Sequence, residues 1–308
     1  MGSYLLRRLL LAPLVLFVLA TVTFVMVRTA PGGPFQGERG MDPVVQRALD
    51  AEYHLDRPMW RQYLDFLGNV AVGDLGPSYK HKAETVNEIV ARELPVSLLL
   101  GGLALLVSLL IGIPVGVLGA THPDKFGDRS AMVVALVAIS LPTFVIGPLL
   151  AFGFGLWLNW LPVAGWGGMS APVYLVLPVL TLAAPLAARI ARLVRAGVLE
   201  VSGQDFVRTA RAKGLDGVAV LVHHCLRVGL LPLAGFLGPA AAGILTGSVV
   251  VEQVFQIPGL GREFVEAAIN RDYTLVMGTV LVYGLILVLC NLAADIVGGI
   301  LDPRARVS

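Results

Sequence analysis

The stretch SGQDFVRTARAKGLDG, residues 202–217, is polar and basic inside a chain that is otherwise mostly apolar. Its arginines and lysine do no chemistry without a substrate and a base beside them, so their spacing is better explained as architecture. Ser202, with Asp205 three residues on, resembles a capping box in which Asp replaces the usual Glu or Gln. Phe206, Val207 and Ala210 fall on one helical stripe. Arg208, Arg211 and Lys213 gather toward the C-terminal end, where cations suit the helix dipole. Gly214 permits the left-handed residue that closes a helix, and Asp216 can cap the next one. The pattern predicts two short helices joined at Gly214. Two readings follow: a solvated or headgroup-binding loop helix, or a docking helix with an apolar stripe for a groove and charges for register.

Other candidate chemistries fail on spacing. A P-loop needs glycine directly before lysine, so that backbone amides cradle phosphates while the lysine reaches them. The four lysines, Lys80, Lys82, Lys125 and Lys213, follow Tyr, His, Asp and Ala instead. His223, His224 and Cys225 are adjacent, and neighbours on a helix point in different directions, which does not give a metal a shared focus; no metal site is expected. Arg189, Arg192 and Arg195 repeat every third residue, as in voltage-sensing helices, but their position at a span end fits anchoring better.

The elements that must position the motif are membrane helices. Of 308 residues, 56% are hydrophobic and 14% charged, with a mean hydropathy of +0.79 and a net charge of only +2. So little charge cannot cover a soluble surface, and the balance implies no nucleic-acid partner. A span needs about 20 apolar residues. Six stretches qualify or nearly so: Leu9–Val27, Val96–Ala120, Ala131–Leu158, Val173–Ala188, Gly229–Val251 and Leu275–Leu301. Pro142 and Pro148 offer kink sites in the third, and the fourth can extend through its arginines. The first run, at 19 residues, exceeds a signal-peptide core and reads as a retained anchor. Arg7, Arg8, Lys125, Arg129, Arg189, Arg192, Arg195, Arg208, Arg211, Lys213, Arg227, Arg304 and Arg306 flank one side, against Arg262 and Arg271 in the opposite short loops. The basic side reads as cytosolic, with both termini inside. Cys225 and Cys290 are not expected to pair.

The chain therefore divides into an anchor span (1–29), an external segment (30–95) and a five-span core (96–308) with a cytosolic loop at 196–228. The external segment holds seven basic and ten acidic residues. Asp56 and Pro58 are placed to start a helix in which Trp60, Tyr63, Leu64 and Leu67 share a face. That helix is either a cap over the outer mouth or an amphipathic helix resting on headgroups. VFQIPGLGREFVEAAI (254–269) is charged and broken by Pro258 and glycines, so it either dips back toward the mouth or lies as a plain external helix. Polar groups within spans usually face a pathway or another helix. Ser140, Thr143, Thr181, Thr246, Ser248 and Asn291 are the candidate pathway-lining set, against back-bonding to their own helices. Glu252 reads as the outer end of the fifth span, and Asp295 as a partner for Arg304 or Arg306. GIPVG (112–116) and GILTG (243–247) offer small-residue faces for close packing, between subunits or within one.

DFVRTARAKGL followed by HHCLRVGLLPL resembles the signature loop of ABC importer permeases for dipeptides, oligopeptides and nickel. Arg208, Thr209 and Ala210 fall on the first three positions of that pattern and Gly214 on its glycine. The segment just after Gly214, LDGVAVLV, carries less charge than the family usually has. YLLRRLLL with RTAPGGP, the outer segment LDRPMWRQYLDFLGNVAVGDLGPSY, the later loop VVVEQVFQIPGLGREFVEAAINRDY and the tail LDPRAR match the family in order, and B-type peptide permeases in particular. The resemblance implies an all-α, six-span type I importer fold in the bacterial inner membrane. It implies that Asp205, Phe206, Arg208, Thr209, Ala210, Arg211, Ala212, Lys213, Gly214 and Leu215 form a coupling helix seated on an ATPase subunit. Its implied partners are a second permease, two ATPase subunits that bind ATP and Mg, an external substrate-binding protein and the lipid bilayer. No cofactor would bind this chain, which would not itself be an enzyme. An importer for nickel or another small solute is the alternative. An ion-coupled transporter should instead show inverted repeats and mid-membrane charges.

Overall fold

The computed structural model describes residues 2–30, 32–35, 43–81 and 83–301, and among them it contains helices and no strand. In chain order the helices are α1 (Gly2–Thr29), α2 (Pro43–Glu52), α3 (Met59–Ala71), α4 (Val86–Thr121), α5 (Phe126–Ser140), α6 (Thr143–Leu150), α7 (Val173–Ser202), α8 (Asp205–Ala212), α9 (Gly217–Val220), α10 (Arg227–Gly229), α11 (Leu231–Leu245), α12 (Val249–Val254), α13 (Leu260–Asn270) and α14 (Tyr273–Leu301). Wider π-type turns extend α6 through Trp157 and join α9 to α10.

Five stretches are long and apolar enough to cross a membrane: Leu10–Thr29, α4, α7, Leu231–Val254 and Tyr273–Ile300. The expected third span is different. Instead of kinking, it breaks between α5 and α6 with a 108° bend. Leu141, forced out of helical geometry by the proline that follows, adopts φ −84°, ψ 124°, and Pro142 starts the next helix. The fifth span is also interrupted. Gly247 sits at φ +89° between α11 and α12, a conformation only glycine takes without strain. GILTG thus spans the end of α11 and this break, and it packs closely within the chain: a Cβ on Gly101 of α4 would overlap the Ile244 carbonyl oxygen.

α7 lies at the centre of the core, with α4 beside it along most of its length. The contact is backbone to backbone. A Cβ on Gly112 would fall 2.7 Å from the Ala187 carbonyl oxygen, and one on Gly116 2.5 Å from that of Ala191. GIPVG is thus used within this chain. α1 runs along α14, where Gly284 leaves room for Leu19. Arg8 pairs with Asp295 at one end of these helices. The expected partners, Arg304 and Arg306, lie outside the described residues.

α3 begins after Pro58 as expected and folds onto α1. The Tyr63 hydroxyl lies 2.6 Å from Thr21 Oγ1, and the Phe24 ring packs against those of Tyr63 and Phe66 with centroids 5.2 and 5.7 Å apart. Trp60 and Leu64 on α3 remain exposed. α13 folds back onto the start of α4, burying Leu260 and Ala267 with Val86 and Ile89, so it is not a freely lying external helix. α4 opens with a full capping box: Thr85 accepts from Glu88 N–H, and the Glu88 carboxylate accepts from Thr85 N–H. Beside it, Glu84 accepts two hydrogen bonds from Arg92, which hold its carboxyl below the ordinary range.

Candidate functional site

The basic motif forms α8, the Gly214 turn and α9, and it attaches to the end of α7. Gln204, not Ser202, occupies the cap position of α8 and makes no side-chain cap bond. Ser202 is still part of α7 and donates its hydroxyl to Val198 O (2.7 Å), so the expected Ser202–Asp205 capping box does not form. Gly214 adopts φ +80°, donates its N–H to Arg211 O (3.0 Å), and would have no neighbour around a side chain; it is required for its backbone conformation alone. Asp216 accepts from Val218 N–H (3.1 Å), capping α9 as expected.

The predicted apolar stripe divides. Val207 and Ala210 are buried in the main core with Val201, Val220 and Cys225. Burying a valine contributes about 1.5–2 kcal/mol, enough to pin a two-turn helix that would not hold alone. Phe206 instead points outward, 43% exposed, with Leu215 at 44% and Val218 at 67%. Asp205, Arg208, Thr209, Arg211, Ala212 and Lys213 are exposed as well. The Arg208–Asp205 pair, 3.7 Å apart on the surface, adds little stability. α8 thus has an inner face that fastens it and an outer face of aromatic, aliphatic and cationic groups that nothing among the described residues covers.

Behind it, a side chain on Gly197 of α7 would overlap the carbonyl oxygen of Gly229 in α10. The two backbones touch, so displacement of α8–α10 bears directly on α7 and on α11, which follows at Leu231. Arg195 of α7 adds a two-pronged bond to buried Asp128 at the start of α5 (both 2.6 Å).

Further along α7 a cleft of about 560 Å³ opens between the α5–α6 elbow, α7 and α11. Thr143 and Ser248 line it, together with Pro142, Pro185, Pro239 and Arg189. Three prolines from three walls each remove a backbone N–H, leaving these walls easier to bend. The other expected lining residues lie elsewhere. Thr181 is fully buried and bonds to Leu177 O (2.7 Å), so it does not face the cleft. Ser140, Thr246 and Asn291 bond back to Leu136, Ala242 and Leu287 of their own helices, and Asn291 packs against Gly238 between α14 and α11.

Two buried carboxylates at the opposite end carry networks not foreseen from the sequence, in which Glu252 reads only as a span end and Asp272 is not singled out. Glu252 lies in the last turn of the Leu231–Val254 span, as expected, and is fully buried there. It accepts from Ser97 Oγ (2.8 Å) and from Arg262 N–H (2.8 Å), at the N-terminus of α13 and against Gly247 and Gly259. Ser97 in turn accepts from Leu260 N–H (2.9 Å). Asp272, also buried, caps α14 through Leu275 N–H and accepts from Tyr79 N–H, Lys80 N–H and the Ser78 hydroxyl. The signal for the first was an acid followed by IPGLG, whose glycines let backbone N–H groups converge on an anion.

Residues 112–307 match the binding-protein-dependent transport system inner membrane components, and residues 1–101 match the N-terminal part of such membrane components. The chain belongs to this family. It is 41% identical over 306 residues to the oligopeptide transport system permease protein OppB of Haemophilus influenzae, covering 99% of this chain and 100% of that one. It is 40% identical over 307 residues to the dipeptide transport system permease protein DppB of Bacillus subtilis, covering 100% and 99%. Among solved structures, the MetNI methionine ABC transporter in an inward-facing conformation matches with a TM-score of 0.56 at 22% identity, over 70% of this chain and 96% of that one. An amino acid ABC transporter matches with a TM-score of 0.54 at 18% identity, over 69% and 94%. Those likenesses show that this inner membrane component has the ABC importer permease fold. The N-terminal part of the family, residues 1–101, is the region that holds α1–α3 and the first turns of α4.

Proposed function

We propose that this chain is one of two permease subunits that together enclose the pathway of an ATP-driven importer for dipeptides or oligopeptides. The observation that carries the reading is the two-faced α8: pinned by Val207 and Ala210, it leaves Phe206, Arg208, Arg211, Lys213 and Leu215 uncovered by any described residue, in a chain of this family. The names of the OppB and DppB relatives support peptides as the substrate class. In this reading the arginine-rich end and both termini lie in the cytosol of a bacterial cell, and the chain sits in its inner membrane. α8 seats on one of two ATPase subunits, which bind ATP and Mg; the Glu252–Asp272 end meets an external substrate-binding protein. This chain binds no nucleotide.

The mechanism is alternating access. ATP-driven closure of the ATPases moves α8; the Gly197–Gly229 contact carries the movement into α7 and α11; and the cleft between them changes the side on which it opens. The test is to purify the tagged chain from its native membrane, identify what accompanies it, and measure peptide-stimulated ATP hydrolysis by that assembly. A second permease and ATPase subunits are expected, with hydrolysis rising when the loaded binding protein is added. Recovery of a chain that moves solute along an ion gradient with no ATPase attached would overturn the proposal.

A further inference from the structure

The three evenly spaced arginines of α7 have different surroundings. Arg195 is committed to Asp128. Arg192 is exposed. Arg189 lines the cleft, is exposed there, and meets no carboxylate among the described residues. It lies six residues before Arg195, about 9 Å further from the arginine-rich end and near the middle of the Val173–Ser202 span, not at a span end as the sequence suggested. A charge at that depth is costly unless water or an opposite charge meets it. The remaining lining residues supply no opposite charge: Thr143 and Ser248 are neutral, and the others are apolar, glycine or proline.

We infer that Arg189 forms an anion subsite of the translocation cleft, which takes the free carboxylate of a peptide as it passes. The inference rests on the peptide-importer reading above. A guanidinium is planar and stays protonated, and its fork matches a carboxylate with two parallel hydrogen bonds. The hydroxyls of Thr143 and Ser248, on the same cleft wall, can serve the neighbouring amide groups. Selection at this point acts after delivery by the binding protein, so it bears on passage through the membrane and not on capture.

The experiment uses the assembled importer in liposomes with its binding protein. Uptake of a tripeptide is compared with uptake of the same tripeptide amidated at its C-terminus, both at concentrations that saturate the binding protein. Arg189→Gln is expected to slow the carboxylate peptide about tenfold, the size of one lost charge-assisted contact, while the amide changes less than about twofold. Arg189→Lys should restore part of the carboxylate rate. ATP hydrolysis stimulated by the loaded binding protein should persist in both variants, which shows that they fold and assemble. Equal loss for both peptides would mean that Arg189 pairs with an acid of a partner chain or with a lipid phosphate, and would overturn the subsite. No loss for either would do the same. Failure of the peptide reading looks different: the wild-type assembly itself would import neither peptide, and the subsite would fall with it.

Discussion

The two ends of the molecule are held by different forces. At the far end, buried carboxylates are satisfied inside the chain: Glu252 by Ser97 and the start of α13, Asp272 by the Ser78–Lys80 turn and the start of α14. At the arginine-rich end, α8 is held by two apolar side chains, with the close α7–α10 backbone contact behind it, and its polar groups face outward. A buried polar network is expensive to leave half-made, so it fixes one arrangement. An apolar anchor with an open polar face tolerates a partner and passes on its motion. The comparison implies that stability and transport separate by region.

Substitutions at the far end should cost the fold, and substitutions on the outer face of α8 should cost only transport. The largest effect is expected from Glu252→Ala, which strands the Ser97 hydroxyl and the backbone N–H of Arg262 in the interior. A loss of about 3 kcal/mol is expected, read as a lowered unfolding midpoint of the detergent-purified chain and a reduced level in membranes. Gly197→Ala comes next because it lies where the two modes meet. Its methyl has no room beside Gly229, so a cost of about 2 kcal/mol is expected together with loss of uptake. Thr85→Ala removes the capping box of α4 and should cost about 1 kcal/mol in the same unfolding assay while uptake continues. The smallest change in stability belongs to Phe206→Asp, within about 0.5 kcal/mol because the ring is already exposed. Yet this variant should abolish uptake while inserting normally. Membrane vesicles of Phe206→Asp that still couple ATP hydrolysis to peptide entry would erase the contrast.

What was legible in the sequence was local. Hydropathy located the long helices, Pro58 the start of α3, and Gly214 and Asp216 the turn and cap beyond α8, because each depends on residues within a few positions. What was not legible depends on partners far along the chain. Pro142 was expected to kink a span, and the 108° elbow exceeds that. Ser202 had the spacing of a cap, but α7 continues through it because Val198 and Val201 remain in the core. Glu252 was legible as the end of a span, but its donor Ser97 lies 155 residues away in sequence and was not. Of the candidate pathway residues, only Thr143 and Ser248 reach the cleft, since helix phase alone does not say which neighbour a face meets.

α4 has 36 residues and, at about 1.5 Å each, measures roughly 54 Å, well beyond the hydrocarbon thickness. Its first turns belong to the Glu252 end, and its last lie beside Arg195. It is therefore one unbroken helix, softened at Pro95 and Pro114, along which a tilt at one tip is carried to the other. A pair of optical labels, one at each tip, should move in step through every transport cycle.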